Sequence, residues 1–454
     1  MINHSEAAIL FNKNEGHVNW HDKSLWFVKQ KRDSAALKVK GWEGLRNIAS
    51  EIKAHTLSKL DEYLIQFEKQ AIKNGAKVHW AADADEHNKI VFEILNEHKA
   101  KNVVKSKSML TEECGLNHYL EEKGIDIVDT DLGERIVQLA KEPPSHIVMP
   151  AIHKKREEID ELFHHHLDTE LSGGDEVYLT REARKHLRQK FLEADAAITG
   201  VNFAVAETGT IVVCTNEGNA DMGVHLAKLH IACMGIEKIV PKQEHLGLFL
   251  RLLARSATGQ PITAYTSHFR TPKEGNNFHI VIVDNGRSNH LGKSDFRSSL
   301  HCIRCGACMN TCPVYRRSGG HSYNATIPGP IGSILSPGFD LNKYSSLPFA
   351  SSLCGSCSDV CSVKIDIHTQ LYKWRQIITR KVHKDKLEVF VVFIISYILA
   401  HPFVFRFGGK LANLSLRVLP QAIIGNLVKG WTKERMLPEV PRNTFTQWYK
   451  KSRM

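Results

Sequence analysis

Hydrophobic and polar positions change their period along the chain, and each change predicts a change of element. In the first stretch Trp42, Leu45, Ile48, Ile52, Leu57 and Leu60 recur near every 3.6 residues, which predicts a helical segment over residues 1–74. Within it Lys29–Lys40 is rich in charge and is expected on the surface. From Ala76 the pattern becomes short apolar runs at Ala76–Ala82, Asn102–Val104, Ile125–Val128 and His146–Pro150. Helical patterns at Glu86–His98 and Met109–Glu122 separate them. Such alternation predicts an α/β fold with a mostly parallel sheet, over residues 75–292. Between Asp195 and Thr215 two β-prone runs flank Glu207-Thr208-Gly209, and a polar loop Asn216–Asn219 follows. This reads as a hairpin, with ligand binding at its turn as the alternative. Further strands are expected at Ile231–Val240, Ile262–Tyr265 and Phe278–Val283.

The polar stretch Lys293–Ser299 marks the next boundary, and residues 293–385 form a third segment. Gly319–Pro348 is a Gly, Pro and Ser-rich loop expected to wrap whatever this segment holds, and Ile365–Arg380 reads as an amphipathic helix. Residues 386–454 open on the apolar run Leu387–Phe405, broken by Glu388 and by His401-Pro402. Its uninterrupted part is about a dozen residues, short for a bilayer span. It reads as a buried or partner-docking helix, with peripheral membrane contact as the alternative. Charge matters here. The chain carries a net +11, and Phe405–Met454 holds ten Lys or Arg against two acids, with Trp431, Trp448 and Tyr449 interspersed. Such a tail suits a membrane surface, an acidic partner or nucleic acid, or it is a solvated basic face.

Seven of the ten cysteines carry the chemistry. Cys302, Cys305, Cys308 and Cys312 are spaced C-x2-C-x2-C-x3-C and followed by Pro313, a pattern for iron–sulfur ligation in which the fourth thiolate serves another cluster. Cys354, Cys357 and Cys361 form a second run. Crossing the runs assigns Cys302, Cys305, Cys308 and Cys361 to one [4Fe–4S] cluster. Cys312, Cys354 and Cys357 are left for a second. With three thiolates, that one is a three-iron cluster or a cubane with one iron open to another ligand. Ser351, Ser352, Ser356 and Ser358 are near enough in sequence to be considered, and nothing selects among them. Three cysteines within seven residues fit tetrahedral zinc poorly. No secretory signal is visible, which argues against structural disulfides and for a cytoplasmic protein. Cys214 and Cys233 lie in apolar stretches and read as buried small side chains, and Cys114 also lies outside the runs.

Other residues signal less. His146 and His153 flank an expected strand end, where α/β proteins place ligand groups, and His164, His165 and His166 read as surface residues. Glu207 is the one candidate for a catalytic role. No G-x-G-x-x-G follows a strand and no Walker sequence occurs, so the sequence offers no case for a usual nucleotide or flavin site.

Four places resemble the lactate utilization protein B family, the iron–sulfur proteins of bacterial lactate-utilisation operons. They are Ser145–Lys154 (SHIVMPAIHK); Ala206–Met222 with His230–Pro241; the two cysteine runs; and the tail Phe445-Thr446-Gln447-Trp448. The resemblance implies an α/β half similar to the 5-formyltetrahydrofolate cyclo-ligase and CoA-transferase-like fold, followed by an α-helical, ferredoxin-like domain with two [4Fe–4S] clusters on the same seven cysteines. It implies oxidation of L-lactate to pyruvate together with two other operon proteins, as an electron-transfer component of an NAD-independent dehydrogenase complex. An acceptor at the membrane surface would take the electrons. One departure is visible. Ser362 follows Cys361 where the family has proline, which is expected to alter local geometry only slightly. A different class of function is a transferase- or ligase-like α/β pocket, with Glu207 and the Asn216–Asn219 loop as its chemistry and the clusters structural or regulatory. Nucleic-acid binding would rest on the basic tail alone and is not expected.

Overall fold

The computed structural model describes residues 3–382, 386–418, 443 and 445–452. Ten strands form among the described residues: β1 (Lys77–Ala81), β2 (Asn102–Lys105), β3 (Asp126–Asp129), β4 (Ala196–Gly200), β5 (Phe203–Val205), β6 (Thr210–Thr215), β7 (Leu229–Gly235), β8 (Ile239–Val240), β9 (Tyr265–Phe269) and β10 (Asn277–Val283). Six of them make one sheet in the order β1-β10-β7-β4-β2-β3, every neighbouring pair parallel. The chain is therefore α/β, as the alternating pattern predicted.

Side chains alternate across this sheet, so each strand feeds two cores. Ile231, Cys233, Val281 and Val283 pack with Val91, Leu95, Leu116 and Leu120 on one face. Ala232, Met234, Ile280 and Ile282 pack with Leu60, Leu64 and Phe67 on the other. Both faces are covered by helices, which is why β7 and β10 read as nearly unbroken apolar runs.

The remaining strands form a small mixed sheet, β8-β5-β6-β9. Its β5–β6 pair is the hairpin expected around Glu207-Thr208-Gly209, with Val205 opposite Thr210. Gly209 has φ +67°, and a Cβ there would lie 2.4 Å from the backbone nitrogen of Ala71. The turn is pressed against the helix Leu60–Lys73, and Asn74 Nδ2 donates to Thr208 O at 2.7 Å. Packing explains this glycine.

Several elements differ from the sequence reading. His146–Pro150 is a turn instead of a strand, because Ser145 N bonds back to Pro150 O and His146 Nδ1 accepts from the amides of Val148 and Met149. Met109–Glu122 is two helices, Met109–Glu113 and Leu116–Glu122, broken where Gly115 takes φ +67°. The run Ile231–Val240 splits into β7 and β8 at Gly235. A side chain there would meet Glu237 Oε2 at 2.1 Å and Arg287 Nε at 2.6 Å, so the strand stops where a buried ion pair crosses its end. The strand expected at Ile262–Tyr265 forms three residues later, as β9.

The N-terminal segment is four helices: His4–Asn12, Glu15–Leu37, Trp42–Ser58 and Leu60–Lys73. The fourth buries the apolar Leu60, Leu64, Phe67 and Ala71, but the third buries cations as well. In the third helix Arg46, Ala49, Lys53, Thr56 and Leu57 face inward, while Ile48 is 50% exposed. Arg32, in the stretch expected to be exposed, is also buried. These cations point inward because they have carbonyls to bind there.

Residues 1–378 form one compact unit and residues 379–454 a second. In the second unit the run Leu387–Phe405 is helical across Lys386–Ala400 and Pro402–Val418, bent by 108° at the His401-Pro402 break. No single helix among the described residues is long and apolar enough to cross a membrane. Phe390, Phe393, Phe403 and Phe407 are exposed. Phe445–Ser452 is a short helix carrying Trp448 and Tyr449. Trp431, with the part of the basic tail between 419 and 442, lies outside the described residues.

Candidate iron–sulfur centre and adjoining cavity

Cys302, Cys305, Cys308 and Cys361 line one small cavity, closed by Ile147, Ile303, Ile331, Val363, Ile365 and Ile367. Fifty-nine residues of chain separate Cys302 from Cys361, yet they meet. Cys361 lies near Cys305 and Cys302, and Cys312 near Cys354 and Cys357. Cys308 faces both Cys361 and Cys357, so the two groups are neighbours. The four-thiol group is partly to fully buried, whereas Cys354 of the three-thiol group is exposed.

This donor set fits iron–sulfur clusters. Burial pushes the Cys357 and Cys361 thiols up to about 12 and raises Cys308 well above the ordinary thiol range, so they would stay protonated as free thiols. Bound iron deprotonates a coordinating thiol outright. Backbone amides already aim at the sulfurs. Arg304 N donates to Cys302 Sγ at 3.4 Å, Tyr315 N to Cys312 Sγ at 3.5 Å and Ile365 N to Cys361 Sγ at 3.3 Å.

The four serines near the second run are already engaged or exposed. Ser356 Oγ bonds Thr311 Oγ1 at 2.6 Å, Ser358 Oγ bonds His368 Nδ1 at 2.8 Å, Ser351 Oγ accepts from Leu353 N at 3.0 Å, and Ser352 is exposed. Ser362, the departure from the family pattern, is fully buried with its Oγ 3.6 Å from Cys305 Sγ. A metal-bound thiolate can only accept there, so the hydroxyl donates. Hydrogen bonds to ligand sulfur stabilise added negative charge and raise the reduction potential. The Ser362→Ala variant is therefore expected to lower the midpoint potential of one cluster in a spectroelectrochemical titration; an unchanged potential would count against that hydrogen bond.

Residues far away in sequence hold the second run in place. Arg32 Nη2 donates to Val360 O at 2.9 Å, Arg46 Nε donates to Cys361 O at 2.9 Å, and Arg46 Nη2 donates to Asp359 O. Ser356–Asp359 is one helical turn, whose terminal carbonyls need outside partners. The SHIVMPAIHK stretch grips the first run. His146 Nδ1 accepts two amides, so its proton sits on Nε2 and is donated to Asn310 Oδ1 at 3.0 Å. Burial holds His146 down to about 3, hence neutral. Tyr315 OH donates to Ser145 O at 2.6 Å.

His153 meets Glu142 and His321. However, Lys154 binds Glu142 at 2.6 Å, His153 Nδ1 contacts Ser145 Oγ at 2.7 Å, and His321 Nε2 donates to Pro143 O at 2.8 Å. These groups satisfy one another. His164, His165 and His166 are exposed, as expected.

A cavity of about 510 Å³ opens at the carboxyl ends of β2, β4 and β7, where parallel sheets bind their ligands. Its wall includes Lys107, Asp131, Asn202, Cys214, Cys233 and Glu217. Ile147 lines both this cavity and the four-thiol one, and Arg304, from the turn between Cys302 and Cys305, reaches into the larger cavity. Asn216, Glu217 and Asn219 line it too. Glu207 does not. It is exposed at the hairpin turn and accepts from Gln243 N at 2.9 Å. The catalytic candidate and the loop paired with it in the sequence reading are therefore not brought together.

Comparison with known proteins covers most of the chain. Residues 64–289 match the LUD domain, residues 298–365 the 4Fe-4S dicluster domain, and residues 373–453 the C-terminal domain of lactate utilisation protein B. The chain is 45% identical over 441 residues to lactate utilization protein B of Bacillus pumilus, covering 93% of this chain and 91% of that protein. It is 44% identical over 438 residues to lactate utilization protein B of Bacillus cytotoxicus, covering 92% and 90%. A DUF162 family protein of Deinococcus radiodurans overlaps 49% of this chain and 98% of its own at 15% identity, with a TM-score of 0.28, too loose to speak for the fold.

Proposed function

Because the chain belongs to the lactate utilization protein B family, we propose that it is the iron–sulfur electron-transfer subunit of a multi-protein complex that oxidises L-lactate to pyruvate. We read the seven cysteines as ligands of two [4Fe–4S] clusters, the second with one iron open or missing. The α/β half is read as cyclo-ligase and CoA-transferase-like, a reading supported by its all-parallel sheet with the cavity at the strand ends.

One observation carries this reading. The four-thiol group lies against the cavity, and the three-thiol group has a cysteine at the surface. Lactate oxidation releases two electrons, and the clusters when bound supply one-electron acceptance and donation. The chain's own residues do the rest. Arg32, Arg46, His146 and Tyr315 hold the two cysteine runs together, and the isoleucine shell keeps water from the four-thiol group. The other two proteins of the lactate-utilisation operon would be its partners. The acceptor would lie at the cytoplasmic face of a membrane, which Phe390, Phe393, Phe403 and Phe407 beside Arg406 and Lys410 would suit.

The protein is to be purified anaerobically and its visible absorbance followed on adding L-lactate with the two partner proteins present. Bleaching is expected. If dithionite bleaches the clusters and lactate with both partners does not, the lactate reading fails. Sedimentation with phosphatidylglycerol vesicles tests the membrane contact separately. Binding that weakens with salt is expected, and no binding at low salt would remove the membrane from the proposal.

A further inference from the structure

The sequence left one iron of the three-thiol group open to another ligand, which would make that iron a place for a substrate. The geometry argues otherwise. None of Cys312, Cys354 and Cys357 lines the cavity. It lies against the complete four-thiol set, with Ile147 between them.

Charge is arranged unevenly in its wall. Lys107 is paired with Asp131 at 3.1 Å. Arg287 takes both oxygens of Glu113, at 2.9 and 3.1 Å, and Glu237 Oε2 at 2.7 Å. Those acids are thus already engaged by one guanidinium. Two further cations, Arg304 and Lys238, share the same Glu237 carboxylate near Cys302 of the four-thiol group. Arg304 Nη2 is 3.8 Å from Glu237 Oε1, and its buried Nη1 has no hydrogen-bond partner among the described residues. Lys238 lines the cavity near Arg304, with no carboxylate within 4 Å of its ammonium and no hydrogen bond among the described residues. Glu237 is thus shared by three cations, and an anion arriving between Arg304 and Lys238 would be held by charge that one carboxylate does not balance. Arg304 also holds φ +61°, an unfavourable conformation for a residue with a side chain. Strain of this kind persists where surrounding structure enforces it, commonly at ligand sites.

The rest of the wall limits the ligand. Val201, Val213 and Leu253 give an apolar surface. Thr215 Oγ1 and Asn219 Oδ1 are buried, line the cavity and lack hydrogen-bond partners among the described residues, so each can accept a hydroxyl. A cavity of about 510 Å³ sits within the usual range for small-molecule sites, about 300–1,000 Å³. A three-carbon acid fills only part of it, so the assignment concerns the end next to the cysteines.

We propose that this end of the cavity binds a small 2-hydroxy or 2-oxo monocarboxylate, with Arg304 and Lys238 holding the carboxylate beside the four-thiol group. The proposal rests on the lactate reading for the choice of acid, and it adds that the acid binds to this chain without its partners.

The test is equilibrium dialysis of the anaerobically purified, cluster-containing protein against labelled L-lactate and labelled pyruvate, with acetate and inorganic phosphate as competitors. Saturable binding is expected for lactate or pyruvate. Losing one charge-assisted contact should weaken it about 10-fold or more in Lys238→Met. Arg304→Gln should do the same. Arg304 lies in the cysteine turn, so its variant is read only if the visible absorbance is retained. Lys238 lies outside that turn and decides the matter if it is not. No binding to the wild-type protein, or unchanged binding in Lys238→Met, overturns the proposal. Phosphate competing as well as pyruvate overturns the carboxylate assignment. Bleaching with partners but no binding to this chain alone would sink the proposal and leave the electron-transfer reading standing. Binding without bleaching would do the reverse.

Discussion

Cys361→Ala is expected to lose the same cluster as Cys302→Ala, and Cys357→Ala to lose the other. In each case iron content should fall by about half, and lactate-driven reduction by about 100-fold or more. The expectation comes from where the sulfurs lie. Cys361 belongs by sequence to the second run, yet it lines the cavity of Cys302, Cys305 and Cys308. Cys357 lies near Cys312 and Cys354 instead. Electron paramagnetic resonance of the dithionite-reduced variants separates the possibilities. Were the runs to bind independently, Cys361→Ala and Cys357→Ala would share one spectrum and Cys302→Ala would differ from both. That result would refute the crossed assignment. Alanine at Cys361 also leaves Arg46 bonded to the residue 361 carbonyl, so the fold is not the first thing lost.

The largest effect on stability is expected away from the clusters. Lys105 at the end of β2 is fully buried, with its ammonium 2.7 Å from Asp129, 3.0 Å from Glu112 and 3.6 Å from Glu134. Burial alone would strip its proton, but three carboxylates overcome burial and hold it well above the ordinary lysine range. Burial likewise pushes Asp129 and Glu134 up, with Lys105 opposing it. Lys105→Met leaves buried carboxylates without a cation. Breaking such a group costs about 3–5 kcal/mol, which at a few degrees per kcal/mol is on the order of 10 °C in thermal midpoint. The triple change Lys105→Met, Asp129→Asn, Glu134→Gln removes the stranded charges too and should recover part of the loss. A Lys105→Met protein melting within a degree or two of wild type would show that the group contributes little.

The hydrophobic pattern was enough for the parallel sheet, because strands buried on both faces leave unmistakable apolar runs. It failed at His146–Pro150, an apolar stretch whose backbone is captured by a histidine ring instead of a neighbouring strand. In the N-terminal segment it gave the helices but not every buried residue: Arg32, Arg46 and Lys53 are buried and Ile48 is not. A burial rule based on polarity cannot anticipate two arginines that together satisfy three carbonyls more than 300 residues away. Glu207 stood out because acid beside glycine suggests a ligand turn. Its glycine answers to a clash with Ala71, which no local pattern shows.

By itself the sequence determined the chemistry of this protein: cysteine spacing is a local property, since one short turn must carry three thiolates to one cluster. It also determined the layered α/β half, since strand and helix periods are local too. The tertiary structure alone decided which cations enclose the second run and that the cavity adjoins the four-thiol group. Those are contacts between residues tens to hundreds of positions apart. Ile147, Lys238 and Arg304 carry no pattern in common until the fold brings them to one wall.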